Sequence, residues 1–458
     1  MEDTARIVIE DSLALQREFF ATGRTKSVKF RLEMLVRFKA AILKYEKRIS
    51  GALYEDLHKS CEEAYLTEIS LVIQEINNHI KHLKQWSEPE RVPTPIHLLP
   101  SSSRIFYEPL GIALIIAPWN YPFQLLMNPL VGAISSGCCA MLKPSPYTPN
   151  TAKVMEGLIR ETFEPGYIFM AQGGREVNAM LLEQRFDFIF YTGSPSVGKV
   201  VMKAAAEHLT PVVLELGGKS PCIVDTGANL DIAAKRIAWG KTINAGQTCI
   251  APDYLLVHRS VKDELLQKIA ASIDRMYGPD IKQSPWFPRI VNQQALERLQ
   301  KLLLHGKILY GGQVDAAEKF IAPTIIDEVQ FDSPIMLEEI FGPVLPVIVF
   351  DQMDEAVGYV QSKEKPLAFY YFGKNRQARE VLERTTSGGG CINDILLHIA
   401  NHHLPFGGVG NSGMGKYHGH GSFLAFSNAR SILISPTWFD LVTKYPPFKG
   451  FRWVKRFI

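Results

Sequence analysis

The sequence predicts an α/β fold built from two successive α/β domains, and three observations support this prediction. The chain has 458 residues, 46% hydrophobic and 21% charged, which is globular composition and more length than one hydrophobic core usually absorbs. From residue 111 onward, short apolar segments alternate with helical patterns, as expected for βαβ units around a mostly parallel sheet. The alternation falls into two consecutive series, so we expect two sheets.

The elements follow in order along the chain. Residues 8–85 are rich in Leu, Ile, Glu and Lys at helical spacing and lack proline, which predicts long amphipathic helices. Residues 84–104 are rich in Pro and Ser and predict an extended arm or linker. The first series predicts strands at 111–117, 138–143, 168–172, 187–191 and 211–216, with helices near 124–135, 148–161, 175–183 and 196–207. The second predicts strands near 222–225, 253–258, 344–350, 367–373 and 390–394, with helices near 229–243, 261–276, 293–304 and 376–385.

Composition and charge argue against several classes of protein. The formal net charge is +3 with both signs mixed along the chain, so no nucleic-acid partner is predicted. The acidic first four residues differ from a secretory signal, and no uncharged apolar run reaches the ~18 residues that a membrane span needs. We therefore expect a cytoplasmic protein without a transmembrane segment. The six scattered cysteines lack C-x-x-C spacing and are expected to be free thiols.

The first candidate site is a glycine turn between residues 187 and 199. An apolar strand leads into Gly193, Ser194 is the expected N-cap of the next helix, and Pro195 occupies its first position. The N-terminus of such a helix can hold a pyrophosphate. An ordinary βα turn that contains Gly193 and Gly198 would look the same in the sequence, so both interpretations stay open.

A second candidate is Glu215, which interrupts an apolar strand just before Gly217 and Gly218. A buried, unpaired carboxyl group has a raised pKa, which suits a general base that works near neutral pH. A glutamate that faces solvent at a strand end is the alternative, and the pattern alone does not distinguish the two.

The third candidate is Cys249, which lies in a segment containing glycine and proline, residues 244–252, directly after a predicted helix. A thiolate is a strong nucleophile when its surroundings lower the pKa of the thiol. Buried inert cysteines are more common than reactive ones, so the segment by itself leaves both interpretations open.

Two further motifs are near misses. Residues 410–416 match G-x-x-x-x-G-K, but Tyr417 stands where a phosphate loop needs Ser or Thr, so a glycine-rich turn with close backbone packing is favoured. His398, His402 and His403 lie close together, but Pro405 disfavours a continuous helix there and no H-E-x-x-H pattern surrounds them. We predict no metal site.

Taken together, these segments resemble the aldehyde dehydrogenase superfamily, and in particular its class 3 type, which oxidises fatty and aromatic aldehydes. The resemblance covers nearly the whole chain, in the right order. Six collinear segments carry it: APWNYP at 117–122, LKPS at 142–145, LELGGK at 214–219, GQTC at 246–249, EEIFGP at 338–343 and LPFGG at 404–408. The GQTC form and the run GVGNSGMG at 408–415 are the features most similar to class 3.

The resemblance implies a role for each matching residue. It makes Cys249 the nucleophile, Glu215 the base that activates water, and Asn120 a side-chain donor to the oxyanion, acting with the backbone N–H of Cys249. The implied cofactor is NAD or NADP, and the residues implied to bind it are Trp119, Lys143, Gly193, Ser194, Gly198, Glu339 and Phe341. The residues implied to line an apolar aldehyde pocket are Tyr121, Trp239 and Thr248.

In the implied mechanism, the Cys249 thiolate attacks the aldehyde, hydride passes from the thiohemiacetal to the nicotinamide, and water deprotonated by Glu215 hydrolyses the thioester to a carboxylic acid. Two alternatives from other classes remain open. A CoA-acylating dehydrogenase or reductase shares the fold and the cysteine, but such relatives generally lack the glutamate. A catalytically silent structural homologue would be expected to have lost some of Asn120, Glu215 and Cys249.

The resemblance also implies the domain organisation. A Rossmann-like cofactor domain comprises 1–83 and 105–214, a catalytic domain comprises 215–397, and arms at 84–104 and 398–430 cross to the partner in a homodimer. A C-terminal tail, 431–458, remains. It holds Trp438, Phe439, Phe448, Phe451, Trp453 and Phe457 among Lys444, Lys449, Arg452, Lys455 and Arg456. We expect the tail to pack on its own dimer, and peripheral contact with anionic lipid is the alternative.

Pro146 is the clearest departure from the family pattern. Many relatives have Glu directly after K-P-S, where its carboxylate accepts hydrogen bonds from the ribose hydroxyls and repels a 2′-phosphate. Proline does neither, so we expect NADP to be tolerated alongside NAD.

Overall fold

The computed structural model describes residues 3–455 of the chain. Its helices are α1 (Arg6–Ala21), α2 (Val28–Leu57), α3 (Cys61–Ala64), α4 (Ser70–Trp86), α5 (Gln124–Ser136), α6 (Pro149–Thr162), α7 (Arg175–Leu182), α8 (Pro195–Ala206), α9 (Leu230–Thr242), α10 (Lys262–Tyr277), α11 (Gln293–Leu302), α12 (Met353–Gln361), α13 (Asn375–Arg384), α14 (His420–Ala425) and α15 (Phe451–Val454). A π-helical turn, Tyr65–Ile69, joins α3 to α4.

The strands alternate with these helices. They are β1 (Glu90–Val92), β2 (Ser102–Pro109), β3 (Ile112–Ile116), β4 (Cys139–Lys143), β5 (Ile168–Met170), β6 (Phe188–Gly193), β7 (Val212–Leu216), β8 (Pro221–Val224), β9 (Tyr254–His258), β10 (Lys307–Tyr310), β11 (Val314–Asp315), β12 (Phe320–Ile321), β13 (Thr324–Asp327), β14 (Val344–Phe350), β15 (Ala368–Phe372), β16 (Gly389–Ile392), β17 (Gly413–Met414) and β18 (Ser427–Ile434).

The first sheet has the strand order β17-β7-β6-β3-β4-β5 and is parallel except for β17. The chain builds β3, β4 and β5 outward and then returns to place β6 on the other side of β3. Strand order therefore reverses between β3 and β6, and ligands of open α/β sheets bind at the carboxyl ends of strands beside such a reversal. Every residue of β3 and β4 is buried, because helices cover both faces of the sheet.

The second sheet follows in the chain, with the order β10-β13-β14-β9-β8-β15-β16. It is parallel from β13 to β16, and only β10 at one edge runs antiparallel. Residues 217–220 connect β7 of the first sheet directly to β8 of the second. The side chains near this connection therefore lie beside both sheets.

A third, antiparallel sheet has the order β1-β2-β18. β18 pairs with β2 along its whole length, from Ser427 opposite Pro109 to Ile434 opposite Ser102. β2 crosses the expected boundary between residues 104 and 105, and β18 crosses the expected boundary between 430 and 431. The Pro-rich segment 84–104, expected to be an extended arm, contains β1 and the short helix Ile96–Leu98.

The two predicted α/β series are confirmed, since each predicted strand and helix in them lies within two residues of an observed one. Ser194 is the N-cap of α8 and Pro195 its first residue, as predicted. The sequence interpretation missed α12, the strands between residues 307 and 327, and the pairing of β2 with β18. No helix within residues 3–455 is long and apolar enough to cross a membrane. Arg456 and Phe457 of the predicted tail lie outside the described residues.

Candidate active site

A cavity of about 500 Å³ lies where the two sheets adjoin, and it contains the predicted chemical groups. Cys249 and Glu215 both line it, as do Tyr121, Trp239 and Thr248. Most of the remaining wall is apolar, with side chains such as Leu125, Ile243, Ile250, Met276, Leu396 and Phe406. The cavity therefore places a thiol and a carboxyl group in one apolar chamber.

Cys249 is presented by a strained loop that follows α9. Asn244 and Ala245 each have φ of 51°, in the left-handed region that few residues other than glycine adopt. Gly246 has φ of 71°, and a Cβ there would clash with the backbone carbonyl of Gly342. The loop thus turns sharply against the 338–343 segment and places residues 248–250 in the wall of the cavity.

The Cys249 thiol is partly exposed to the cavity. Burial among protein atoms raises the pKa of this thiol, and the carboxyl groups of Glu339 and Glu215 raise it further. Hydrogen bonds from the backbone N–H groups of Cys249 and Ile250 lower the pKa of the thiol. The protein alone therefore holds the cysteine mainly as a thiol, and a base or a cationic group is needed to produce the thiolate.

Glu215 lies near the end of β7, between Thr192 of β6 and Gly413 of β17. Its side chain is 3% exposed, and neither carboxyl oxygen has a hydrogen-bond partner. Burial raises the pKa of Glu215 well above its ordinary value, and the positive charge of Lys416 only partly opposes this shift. Of the two interpretations that the sequence left open, the structure has the buried, unpaired carboxyl group and not the solvent-facing glutamate.

The glycine-rich run after residue 406 allows this geometry. Gly407 approaches the Glu215 carboxyl so closely that a Cβ would lie 2.9 Å from Oε1, and Gly413 pairs with Glu215 across β17 and β7. Lys416 donates to the backbone oxygens of Gly388 and Gly407. The run is thus a closely packed turn, as predicted.

Asn120 is buried behind the nucleophile loop. Its side-chain amide donates to the backbone oxygen of Gln247 at 3.0 Å, two residues before Cys249. Its own backbone oxygen accepts from Lys59 Nζ at 2.9 Å and from Asn244 Nδ2 at 2.7 Å. Asn120 is therefore joined by hydrogen bonds to the loop that carries Cys249.

The sequence interpretation missed a charged cluster formed by the buried Lys59 and Glu68 and the partly buried Glu63, which also lines the cavity. The cluster connects the segment around residues 120–123 with the loop that carries Cys249. Lys59 Nζ lies 2.5 Å from Glu68 Oε1, and both side chains are fully buried. Glu68 Oε2 accepts from the backbone N–H of Phe123 at 2.8 Å, and Glu63 Oε1 accepts from the backbone N–H of Asn244 at 2.8 Å. Burial raises the pKa of Glu63 to about 7.

The predicted pocket residues also contact one another. The Tyr121 hydroxyl lies 2.7 Å from Thr248 Oγ1, beside the nucleophile. Lys59 Nζ lies 4.0 Å from the centre of the Tyr121 ring, within the range of a cation–π interaction. These two contacts hold the Tyr121 ring in its place in the cavity wall.

The predicted pyrophosphate residues lie at the carboxyl end of β6. Ser194 Oγ caps α8 by accepting from the backbone N–H of Val197, and Gly198 packs against Leu216, where a Cβ would lie 2.8 Å from a methyl carbon. A Cβ on Gly193 would clash with the Tyr191 hydroxyl, so a side chain at position 193 would have to displace the Tyr191 ring. The bare backbone turn at a helix N-terminus fits the pyrophosphate of a dinucleotide.

Lys143 ends β4, at the same edge of the sheet. Its side chain is buried and Nζ donates to the backbone oxygen of Pro144 at 2.7 Å. Burial lowers the pKa of Lys143 to about 8. A buried ammonium group with protons still available fits the hydroxyls of a ribose.

Glu339 and Phe341 lie on a second segment that faces the same region. The Glu339 carboxylate contacts the backbone of Gly217, where a Cβ would clash with it, and burial raises the pKa of Glu339 to about 8. Phe341 adopts φ of 51°, and its ring meets that of Trp119 edge-on with centroids 5.4 Å apart. The structure thus places Glu339 against Gly217 and Phe341 against Trp119.

Three residues that the sequence interpretation missed hold this segment in place. Lys219 pairs with Asp253 and donates to the backbone oxygens of Ile335 and Glu338, at 2.9 and 2.8 Å. Asp253 accepts from the backbone N–H of Ile340 at 2.8 Å, and Arg298 donates to backbone oxygens in the same segment. The only sequence signal was the Lys219 of the LELGGK segment, whose partner was not evident.

The clustered histidines separate in the structure. His402 Nδ1 lies 3.1 Å from Glu75 Oε2, and His398 Nδ1 lies 3.5 Å from the Cys391 sulfur. Among the described residues, no group of His, Cys, Asp and Glu is arranged to hold a metal ion.

A parallel sheet with a capped glycine turn at its point of reversal, next to a chamber that holds a thiol and a buried carboxyl group, defines a class of protein. It is typical of oxidoreductases that bind a dinucleotide and use a cysteine. The chain matches the model of the aldehyde dehydrogenase family over residues 6–432.

Similarity to individual aldehyde dehydrogenases supports this match. The chain is 47% identical to 4,4′-diaponeurosporen-aldehyde dehydrogenase of Staphylococcus aureus over 98% of its own length and 99% of the relative's. It is 43% identical to the dimeric, NADP-preferring aldehyde dehydrogenase of Canis lupus familiaris, over 96% and 98% of the two chains. The solved structure of the substrate-bound state of Staphylococcus aureus AldH superimposes with a TM-score of 0.96 at 46% identity, covering 98% of this chain and 99% of that one.

The chain therefore belongs to the aldehyde dehydrogenase family. It is an oxidoreductase that acts on aldehydes with NAD or NADP as cofactor, of the class 3 type that the sequence motifs resemble.

Proposed function

We propose that this enzyme oxidises aldehydes to carboxylic acids through covalent catalysis by Cys249, with Glu215 as the general base of the hydrolytic step. The observation that carries this proposal is that the Cys249 thiol and the buried Glu215 carboxyl group line one cavity of about 500 Å³. The Cys249 sulfur attacks the aldehyde carbon and gives a thiohemiacetal. When bound, NAD(P)⁺ supplies the hydride acceptor that converts this adduct to a thioester.

Glu215 acts in the second half of the reaction. Its raised pKa makes the ionised form basic enough to take a proton from water, which then attacks the thioester carbon and releases the acid and the Cys249 thiol. Glu215 also serves as the base that generates the thiolate, since burial raises the pKa of Cys249. Asn120 and the backbone N–H of Cys249 stabilise the oxyanion, at about 3 kcal/mol for each such donor.

Residues at the carboxyl edge of the first sheet hold the cofactor. Lys143 binds the adenosine ribose, while Gly193, Ser194 and Gly198 accommodate the pyrophosphate at the N-terminus of α8. Glu339 holds the nicotinamide ribose, and Phe341 and Trp119 pack beside the nicotinamide. Since Pro146 carries no charge, the enzyme uses NADP as well as NAD.

The substrates are medium-chain or long-chain aliphatic aldehydes and aromatic aldehydes. The apolar side chains of the cavity wall support this proposal, because each methylene transferred from water to such a wall stabilises the complex by about 0.8 kcal/mol. The Staphylococcus aureus relative is named for a diaponeurosporen-aldehyde, and one mammalian relative is named as dimeric. The proposed unit is a homodimer in which segments 84–104 and 398–430 contact the partner.

The Cys249→Ala variant tests the nucleophile, with Cys391→Ala as a matched control because Cys391 is also partly exposed. Cys249→Ala should lose NADH production from hexanal and hydrolysis of p-nitrophenyl acetate, while calorimetric NAD⁺ binding persists because its contacts lie on other segments. More than a trace of either activity in Cys249→Ala would place the nucleophile elsewhere. The product also separates the alternatives: free acid supports Glu215-dependent hydrolysis, and acyl-CoA formation would indicate the acylating class.

A further inference from the structure

The first described residues of the chain are fixed to the carboxyl end of β5. The backbone N–H of Thr4 donates to the oxygen of Gln172 at 2.9 Å, and the backbone N–H of Gln172 donates to Thr4 Oγ1 at 2.8 Å. Asp3 Oδ1 accepts from the backbone N–H of Gly174 at 3.3 Å. Gly173 has φ of 136°, and a Cβ there would lie 2.7 Å from Asp3 Oδ1. The Asp3 carboxylate is thus seated on a two-glycine turn.

This turn adjoins the proposed ribose site. β5 pairs in parallel with β4, and the backbone N–H of Ala171 donates to the oxygen of Leu142 at 2.9 Å, so residues 171–174 run beside the end of β4 at Lys143. The negative charge of Asp3 also acts on Lys143: it raises the pKa of Lys143 and so opposes the lowering that burial causes. Asp3 itself is exposed at this edge.

The Asp3 carboxylate therefore lies on a turn beside the end of β4, the strand that leads to Pro146. Pro146 lies three residues beyond Lys143 and is exposed, and it has neither a charge nor a hydrogen-bonding side chain. Asp3, on the turn that follows β5, has both. A carboxylate beside the adenosine ribose accepts hydrogen bonds from its hydroxyls and repels a 2′-phosphate.

We propose that Asp3 is a cofactor-specificity residue that disfavours the 2′-phosphate of NADP in place of the glutamate that Pro146 replaces. The proposal rests on the cofactor site described under Proposed function. Because Asp3 is exposed to solvent, its effect is modest and salt-sensitive: a discrimination of about five- to tenfold at low ionic strength, well below that of a buried charge. The enzyme consequently uses both cofactors, and its preference for NAD over NADP is larger than it would be without the Asp3 charge.

The test is calorimetric titration of the ligand-free enzyme with NAD⁺ and with NADP⁺. Asp3→Asn should lower the ratio of Kd for NADP⁺ to Kd for NAD⁺ about five- to tenfold, and the change should shrink in 0.5 M salt. Asp3→Glu, which keeps the charge, should stay within about twofold of the wild-type ratio. Asp11→Asn removes an exposed carboxylate from α1 and serves as the control that leaves the ratio unchanged. Arg175, which follows the turn, is the same in every variant and cancels in the comparison.

Lys143→Met distinguishes failure of this proposal from failure of the cofactor site. If Lys143→Met weakens both dinucleotides but Asp3→Asn leaves the ratio within twofold of wild type, the site stands and the role of Asp3 is overturned. If Lys143→Met leaves both Kd values unchanged, the cofactor lies elsewhere and both proposals fall together.

Discussion

Changing Glu215 to Gln tests the second half of the proposed reaction. The substitution keeps the size of the side chain and removes its basic oxygen. Because the wild-type carboxyl group is buried, has no hydrogen-bond partner and has a raised pKa, the amide replaces a group that is already largely neutral in the ligand-free enzyme. The structure around Glu215 should therefore persist, while hydrolysis of the thioester slows.

The expected magnitude follows from what a general base contributes. Proton transfer to a positioned base accelerates a step by about 10²–10⁴-fold, so steady-state turnover of Glu215→Gln should fall by that factor. Acylation should survive, and stopped-flow absorbance should record a burst approaching one NADH for each active subunit. Intact mass should show the acyl group on the protein, and its absence in a Cys249→Ala, Glu215→Gln double variant would locate it.

Thiolate formation is a complication that pH resolves. If Glu215 also deprotonates Cys249, the burst of the variant is slow at neutral pH and accelerates as pH rises toward the pKa of the thiol. Turnover near the wild-type rate without an accumulated adduct would refute the assignment, and Glu215 would then be a structural carboxyl group.

The pH dependence of the free energy of unfolding gives an independent check of the raised pKa of Glu215. The folded-state pKa of Glu215 is raised, so above the ordinary carboxyl pKa the folded state holds a proton that the unfolded state has lost. Wild-type stability should thus fall relative to Glu215→Gln as pH rises from the ordinary carboxyl pKa toward the raised one, by up to about 1.4 kcal/mol for each pH unit. Urea unfolding of both proteins at pH 5 and pH 8 measures this difference, and an equal difference at the two pH values would contradict the buried, protonated carboxyl group.

Three further predictions concern substrate and cofactor. Hexanal and benzaldehyde should have a higher kcat/KM than acetaldehyde, because each buried methylene contributes about 0.8 kcal/mol; the reverse order in an NADH assay would rule out the apolar tunnel. Wild-type kcat/KM values for NAD and NADP should agree within about 100-fold, and Pro146→Glu should shift the ratio toward NAD; without that shift, position 146 is not a discriminator. Asp253→Ala should raise the KM for NAD about tenfold, because it removes the acceptors of both the Ile340 N–H and Lys219, which hold the Glu339 segment. Iodoacetamide labelling of Cys249 should stay unchanged, and an unaltered KM would show that the segment needs no such support.

Local patterns in the sequence determined the α/β series and the chemistry-bearing motifs. Alternation of apolar strands with amphipathic helices, the Ser194 cap and Pro195 are short-range signals, because backbone hydrogen bonding and capping involve residues close in the chain. The same holds for the interrupted strand at Glu215 and the glycine-punctuated loop at Cys249. These signals identified the candidates but left a structural alternative beside each one.

Only the tertiary structure decided that the Glu215 side chain is buried and does not face solvent. The burial of Glu215 depends on Gly407 and Gly413, which are distant in the chain and pack against it. Three other contacts also join segments that are distant in the chain. Glu68 accepts from the backbone N–H of Phe123, Lys219 and Asp253 hold the 335–340 segment, and Asp3 lies on the Gly173 turn. A charged residue carries no local mark of whether water or protein will surround it. Its surroundings, and with them its pKa and its role, are determined only when remote segments meet.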